Sequence, residues 1–222
     1  VNTALAAFAA AGGGKLVIPR DDWKFTGSTG LALTGTSNPI HIEAEDGAVF
    51  DMTGSTASVG MQLGGSATAS TAALGADVTK GADSITCSLS VVAGDIIQIS
   101  STDIFETTQS IVKGEYAEVL SSSAGTITLK SGLWDSYAAA TTTVTKMQMP
   151  KVSVEGLTLL RNSSHQGLQI TCARDVLLGG LDAEGAGERL FYFDRVYGGT
   201  ADNLTGRDFW YSGTGTSYGL AV

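Results

Sequence analysis

The chain has 222 residues, of which 43% are hydrophobic and 16% are charged, and its formal net charge is −9. This length is sufficient for one or two domains with a sizeable core. The acidic balance argues against nucleic acid as a partner, because phosphate binding requires clustered Lys and Arg side chains. No apolar run approaches the ~20 residues needed to cross a bilayer, so membrane insertion is not expected.

The abundance of small residues favours short strands joined by tight turns. The chain contains 29 glycines but only 3 prolines, together with many Ser, Thr and Ala residues. Cys87 and Cys172 lie in different segments and belong to no CxxC motif or Cys/His cluster. We therefore expect two separate buried thiols, no metal site and no cofactor.

The first element in chain order is a predicted helix. Residues 4–11 are almost entirely Ala with an apolar stripe, and Asn2 or Thr3 is suited to cap the free N–H groups at the start. A run of three glycines at 12–14 ends the helix. Residues 15–19 then predict the first strand, which a proline closes.

Short strands follow up to a region of different composition. Within Ile40–Ala44, strict alternation predicts that His41 and Glu43 face outward. Residues 64–83 are low in complexity and predict a connecting loop. Beyond this loop four strands are predicted, at residues 84–90, 95–100, 115–120 and 126–130. We interpret residues 72–146 as a small inserted β-domain.

A repeated phrase dominates the remaining sequence. It is anchored on Leu157, Leu181 and Leu204, at spacings of 24 and 23 residues. A fixed period of this size predicts a solenoid, in which corresponding strands stack in parallel about 4.8 Å apart. The predicted organisation is a capping helix with the first coils at 1–71, the inserted domain, and further coils at 147–222. The sequence ends inside a predicted strand, so we expect a piece of a longer chain.

These features carry a resemblance to a known family. The opening residues 2–20, with their Ala-rich helix, glycine run and Ile-Pro strand end, resemble the start of right-handed parallel β-helices of the pectate-lyase superfamily. The predicted inserted domain, with Lys113-Gly-Glu-Tyr and Leu133-Trp-Asp-Ser-Tyr, is similar to those of bacteriophage tailspikes. The resemblance implies an all-β, homotrimeric protein of the virion tail that contacts other tail proteins. Its implied partners are bacterial capsular polysaccharide or lipopolysaccharide chains.

Candidate catalytic residues follow from the stacking. Glycoside hydrolysis uses two carboxyl groups, about 5–5.5 Å apart for retention and about 6.5–9.5 Å apart for inversion. Alignment on the leucines places Leu160, Glu184 and Arg207 in one column and Arg161, Gly185 and Asp208 in the next. The predicted catalytic carboxylates are Glu184 and Asp208, with Glu188 and Asp194 in reserve. The alternatives are solvated turn carboxylates and a structural Arg161–Asp208 ion pair.

Candidate glycan contacts are mainly aromatic, because the C–H face of a sugar packs well on an aromatic ring. The predicted substrate-binding residues are Arg161, Trp134, Tyr137, Trp210 and Tyr211. The alternative for Trp210 and Tyr211 is packing against the next coil or subunit.

Three functions remain open at this point. The first is a tailspike-like protein that recognises, and as a depolymerase cleaves, a bacterial surface polysaccharide, with hydrolysis favoured over elimination. The second is a non-catalytic structural or adhesive β-helix of a virion or cell surface. The third is a free-standing polysaccharide lyase or epimerase, which is less favoured because no acidic cluster for calcium is visible in the sequence.

Overall fold

The computed structural model describes residues 7, 8, 10, 11, 13–28, 30–106, 108, 110–161, 166–185, 189–207 and 218–221. The chain divides into two compact units. The first, which we call the solenoid, comprises residues 1–66 and 149–222, and the second comprises residues 67–148. The two units are described separately.

Seventeen described strands make up nearly all of the regular structure. Those of the solenoid are β1 (Gly14–Ile18), β2 (Asp22–Gly27), β3 (Leu31–Leu33), β4 (Ile40–Ala44), β5 (Val49–Ser55), β6 (Val59–Gly64), β13 (Lys151–Glu155), β14 (Thr158–Leu160), β15 (Gln166–Glu184), β16 (Arg189–Arg207) and β17 (Tyr218–Ala221). Those of the second unit are β7 (Ser66–Ala73), β8 (Ser84–Thr86), β9 (Ile96–Glu106), β10 (Ile111–Ser123), β11 (Thr126–Leu129) and β12 (Thr142–Gln148). Strand β7 begins at Ser66, one residue before the boundary of this unit.

The solenoid strands form three faces, each a parallel stack of five described strands. Face A stacks β1, β4, β13, residues 174–179 and residues 197–202. Face B stacks β2, β5, β14, residues 182–184 and residues 205–207. Face C stacks β3, β6, residues 166–171, residues 189–194 and β17. The predicted all-β parallel solenoid is therefore confirmed.

The register follows the sequence repeat. Leu181 pairs directly with Leu204, and Thr158 pairs with Asp182, so Leu157 lies over Leu181. Leu157 and Leu181 are 0% and 1% exposed, and Leu204 packs against the same core. The predicted leucine column is confirmed.

Alternation along each strand separates core from surface. In β4, Ile40 and Ile42 are buried while His41 and Glu43 are partly exposed, as the sequence predicted. Alternate residues of each strand point inward, most of these are apolar, and each strand lies over a like strand. The inward side chains therefore form continuous buried columns.

The predicted N-terminal helix lies mostly outside the described residues. Ala7, Phe8 and Ala10 are helical, and the Ala11 N–H donates to the Ala7 carbonyl at 2.9 Å. Phe8 is 8% exposed and belongs to the solenoid core. The predicted caps Asn2 and Thr3 lie outside the described residues, so the capping helix stays a prediction.

A column of left-handed residues turns the chain from face A to face B. Gly156, Gly180 and Asn203 occupy equivalent places in successive coils, with φ of 72°, 59° and 52°. A Cβ on Gly156 would lie 2.7 Å from the Ala44 carbonyl oxygen of the neighbouring coil. At Gly156, glycine is favoured both by the backbone angle and by the close approach of the coils, whereas at Asn203 the asparagine tolerates the same left-handed angle.

The second unit is an antiparallel sheet with its own core. Its six strands lie in the order β7-β12-β9-β10-β11-β8. Its buried side chains include Ile97, Ile99, Ile127, Leu133 and Tyr137.

Cys87 and Cys172 are both free and buried, as predicted. Among the described residues, no helix has the length and apolar character to cross a membrane.

Coil stacking can be tested by a glycine substitution. Gly156→Ala introduces both a left-handed alanine, at a cost of about 1–2 kcal/mol, and a collision with Ala44 in the neighbouring coil. Gly35→Ala is the matched control, because Gly35 has φ of +73° but no atom within 4 Å of the added Cβ. We expect the free energy of unfolding, measured in urea, to fall by at least about 1 kcal/mol more for Gly156→Ala. An equal loss of unfolding free energy in the two variants would contradict the close approach of Gly156 to Ala44.

Candidate functional site

Face B presents two outward columns, mostly of polar side chains, beside a buried one. The buried column contains Phe50, Leu159 and Ala183, each at most 2% exposed. One outward column runs through Lys24, Asp51, Leu160, Glu184 and Arg207. The predicted alignment of Leu160, Glu184 and Arg207 is thus confirmed. The second outward column contains Asp22, Val49, Thr158, Asp182 and Thr205.

An ion cluster joins these two columns, and we call it the face B cluster: Asp182, Glu184 and Arg207. Arg207 Nη2 donates to Asp182 Oδ2 and lies 3.9 Å from Glu184 Oε2. Asp182 and Glu184 are two residues apart in one strand, so both side chains point to the same side. Their side chains are 30% and 40% exposed, but Asp182 Oδ1 is buried and has no hydrogen-bond partner among the described residues, so Asp182 presents only Oδ2. Two carboxylates beside one guanidinium place hydrogen-bond acceptors and donors side by side, which is what a polyhydroxylated ligand requires.

Arg161 occupies a buried place next to this strand. Its side chain is only 4% exposed, and Nη2 donates to the Ala57 carbonyl at 2.7 Å. Burial lowers the pKa of Arg161 below its ordinary value. Nε and Nη1 have no hydrogen-bond partner among the described residues. A guanidinium at this depth does not reach a glycan on the surface, so the structure does not support the predicted substrate contact.

Asp194 lies at the end of its strand on face C, away from the face B cluster. Its Oδ2 accepts from Thr171 Oγ1 at 3.1 Å and from Arg195 Nε at 3.0 Å. Arg195 Nη2 also donates to Thr171 Oγ1 at 3.3 Å. These contacts tie Asp194 into a corner network, and the structure does not bring it together with Glu184.

Four predicted site residues, Asp208, Glu188, Trp210 and Tyr211, lie outside the described residues. Within the part of the chain that the structure describes, no three His, Cys, Asp or Glu side chains come close enough to hold a metal ion.

The second unit brings its two distinctive sequence motifs together around Glu115. The Glu115 carboxylate accepts from the Trp134 N–H at 3.0 Å, the Asp135 N–H at 3.3 Å and the Tyr137 hydroxyl at 2.9 Å. Burial and the bond to Glu115 both raise the pKa of Tyr137, so its hydroxyl stays a donor at neutral pH. Lys113 Nζ donates to Asp135 Oδ1 at 3.4 Å.

This arrangement separates the two predicted aromatics. Trp134 is 78% exposed, whereas Tyr137 is 2% exposed and anchors the loop from inside. Tyr137 therefore has no free ring face for a sugar, contrary to its predicted role, while Trp134 is freely presented. Trp134 lines a cleft of about 420 Å³ together with Phe105, Val112, Lys113 and other residues of this unit.

Asp182 and Glu115 were not predicted from the sequence. Asp182 precedes Glu184 by two positions, so strand alternation alone places it on the same side. Glu115 gave no such signal, because its three donors are twenty or so residues away in sequence and meet it only through tertiary packing.

Three solved structures with a similar fold come from bacteriophages. The tailspike protein gp49 of Pseudomonas phage LKA1 matches with a TM-score of 0.73 and 20% identity, covering 86% of this chain and 32% of that one. The tailspike gp61 of Pseudomonas phage phi297 matches with a TM-score of 0.61 and 16% identity, covering 90% and 40%.

A third match is the Gp54 tailspike of Acinetobacter baumannii bacteriophage AP22, solved in complex with an A. baumannii capsular saccharide. Its TM-score is 0.52 at 14% identity, covering 92% of this chain and 43% of that one. The chain thus spans about a third to two fifths of the length of these tailspikes. No protein-family model and no curated protein sequence matches it. The likeness establishes the fold.

The Glu115 anchor can be tested by amide hydrogen exchange. A hydrogen bond to a charged group contributes about 1.5–3 kcal/mol, so Glu115→Ala should accelerate exchange of the Trp134 and Asp135 amides about tenfold or more. Glu118→Ala is the control, because Glu118 pairs only with exposed Lys130 among the described ion pairs. Unchanged exchange in Glu115→Ala would show that the loop is held by other contacts.

Proposed function

We propose that the chain is part of a bacteriophage tailspike whose solenoid binds a bacterial surface polysaccharide. The observation that carries this proposal is the parallel solenoid fold that the chain shares with three phage tailspikes, one of which was solved with a capsular saccharide. The chain's own geometry supports it, because stacked strands form a straight surface along which an extended glycan can lie.

The face B cluster is the proposed contact on this surface. Asp182 and Glu184 accept from sugar hydroxyls, and Arg207 donates to ring or hydroxyl oxygens while holding the two carboxylates in place. For cleavage, Glu184 is the proposed acid or base, with Asp182 as a candidate partner beside the predicted Asp208; the predicted reserve Asp194 lies on face C. The roles proposed from the sequence for Asp208, Glu188, Trp210 and Tyr211 remain part of this proposal.

The finer features of the family belong to the same proposal. They are a right-handed coil of the pectate-lyase superfamily, a helix at residues 4–11 over the first coil, and an inserted domain at residues 72–146. Assembly as a homotrimer, contact with other tail proteins and a place in the virion tail complete it.

A non-catalytic adhesive β-helix is the second candidate. The observation that favours it is the pairing of both face B carboxylates with Arg207, which is also what a surface ion cluster of purely structural role displays.

Cleavage separates the two candidates. The full chain is incubated with capsular polysaccharides and lipopolysaccharides of Pseudomonas and Acinetobacter strains, and binding and polymer length are measured by biolayer interferometry and size-exclusion chromatography. We expect shortened polymer from the unaltered chain. Glu184→Gln should slow shortening by about 10²-fold or more, because proton transfer typically contributes 10²–10⁴-fold, while binding changes little.

Asp175→Asn is the matched control, since Asp175 is an exposed carboxylate paired with Lys151 at 2.9 Å outside the face B cluster. It should leave both readouts unchanged. Binding without shortening would favour the adhesive candidate, and absence of binding to every polysaccharide would contradict the proposed function.

A further inference from the structure

An exposed tryptophan on a fixed loop is the most unusual surface feature of the second unit. The indole of Trp134 is 78% exposed, yet its neighbour Leu133 is 3% exposed and Tyr137 is 2% exposed. Both buried neighbours belong to the core of this unit. The loop is therefore held at both ends while the side chain between them faces solvent.

Hydrogen bonds fix the same loop from below. The Glu115 carboxylate accepts from two consecutive main-chain N–H groups, those of Trp134 and Asp135, and from the Tyr137 hydroxyl. Because bonds to a charged acceptor are stronger than neutral ones, we expect this loop to be ordered before any ligand arrives. A pre-ordered aromatic side chain loses little conformational entropy on binding.

The strand beneath the loop is also irregular. The ladder between β9 and β10 shifts its register between Val112 and Gly114, at Lys113. Irregularities of this kind redirect side chains and are frequent beside binding sites. Here Lys113 turns toward the loop, where its Nζ donates to Asp135 Oδ1 and to the Ser136 carbonyl at 3.2 Å.

The cleft around Trp134 combines an aromatic face with charged groups. It has a volume of about 420 Å³, and Lys80, Lys113 and Asp135 line it beside the aromatic Phe105. The Ser136 N–H holds the pKa of Asp135 below its usual value, and Lys113 lowers it further, so this carboxylate remains an acceptor. The cleft thus offers ammonium donors and a carboxylate acceptor within reach of one indole.

From this geometry we infer that the second unit carries a separate binding site for a pyranose sugar, with the sugar ring stacked on Trp134. The C–H face of a pyranose is apolar and suits the negative face of an indole. Its hydroxyl groups, at the ring edge, suit Asp135 as acceptor and Lys80 and Lys113 as donors. The exposed Phe105, Ile111 and Val112 of the same lining would also suit a protein surface, so a second copy of the chain is the competing occupant that the experiment separates from a sugar.

This inference shares only the ligand class with the proposed function, since its site lies wholly within residues 67–148 and uses none of the face B cluster. The full chain is labelled with 5-fluorotryptophan, which gives one ¹⁹F signal for each of its 3 tryptophans. Loss of a signal in Trp134→Phe assigns the Trp134 resonance. The probe is a set of short oligosaccharides released from Pseudomonas and Acinetobacter surface polysaccharides.

We expect the Trp134 signal to shift saturably with at least one oligosaccharide. Trp134→Ala should weaken the calorimetric Kd for that oligosaccharide tenfold or more, whereas Trp134→Phe, which keeps a ring, should weaken it less. Leu120→Ala is the matched control, because Leu120 is an apolar side chain of the same unit that is 57% exposed and outside the cleft lining. It should leave the Kd unchanged.

The two sites fail separately. A Trp134 signal that stays fixed while polysaccharide binds the chain overturns this inference and leaves the proposed function standing. A Trp134 signal that shifts with a short oligosaccharide, together with loss of all polysaccharide binding by the full chain in Trp134→Ala, supports this inference and contradicts the proposed solenoid contact. A fall in oligomeric mass on Trp134→Ala without any change in sugar affinity identifies the cleft as a contact between copies and also overturns it.

Discussion

In-register parallel stacking is the constraint on which the solenoid depends. Each coil satisfies its main-chain hydrogen bonds with the coils above and below, so like residues must lie over like residues. The same ladder that buries Leu181 over Leu157 also brings Glu184 between Leu160 and Arg207. The buried and exposed columns are thus two consequences of one register. A shift of one residue would exchange them.

The sequence predicted this register well because the repeat carries its own signal. Leucines at a spacing of 23–24 residues identify the stack, and alternation identifies the outward residues. The burial of individual side chains was harder to predict from the sequence. The alignment located Arg161 one position beyond the Leu160 column, but its burial depends on the packing of a corner that periodicity does not describe. Tyr137 shows the same limit, because its hydroxyl partner Glu115 lies far away in sequence.

The two candidate sites rest on different physics. In the face B cluster, neighbouring coils supply the charged side chains, and an exposed guanidinium holds them. The strength of these ion pairs therefore depends on electrostatic interactions that solvent and salt screen. At Trp134 the central ligand-facing group is an apolar indole, with Lys80, Lys113 and Asp135 beside it in the cleft and Glu115 fixing the loop from below.

Cross-linking of two coils measures the stacking most directly. Ser153 and Leu177 are outward partners in adjacent strands of face A, and Leu177 pairs in turn with Thr200. Strands about 4.8 Å apart lie within the Cα separation of about 4.4–6.8 Å that a disulfide spans. On mild oxidation, cysteines introduced at 153 and 177 should form a disulfide, detected by mass spectrometry, whereas cysteines at 153 and 200, two coils apart, should not. Failure of the first pair, or equal reaction of the second, would contradict the stacked register.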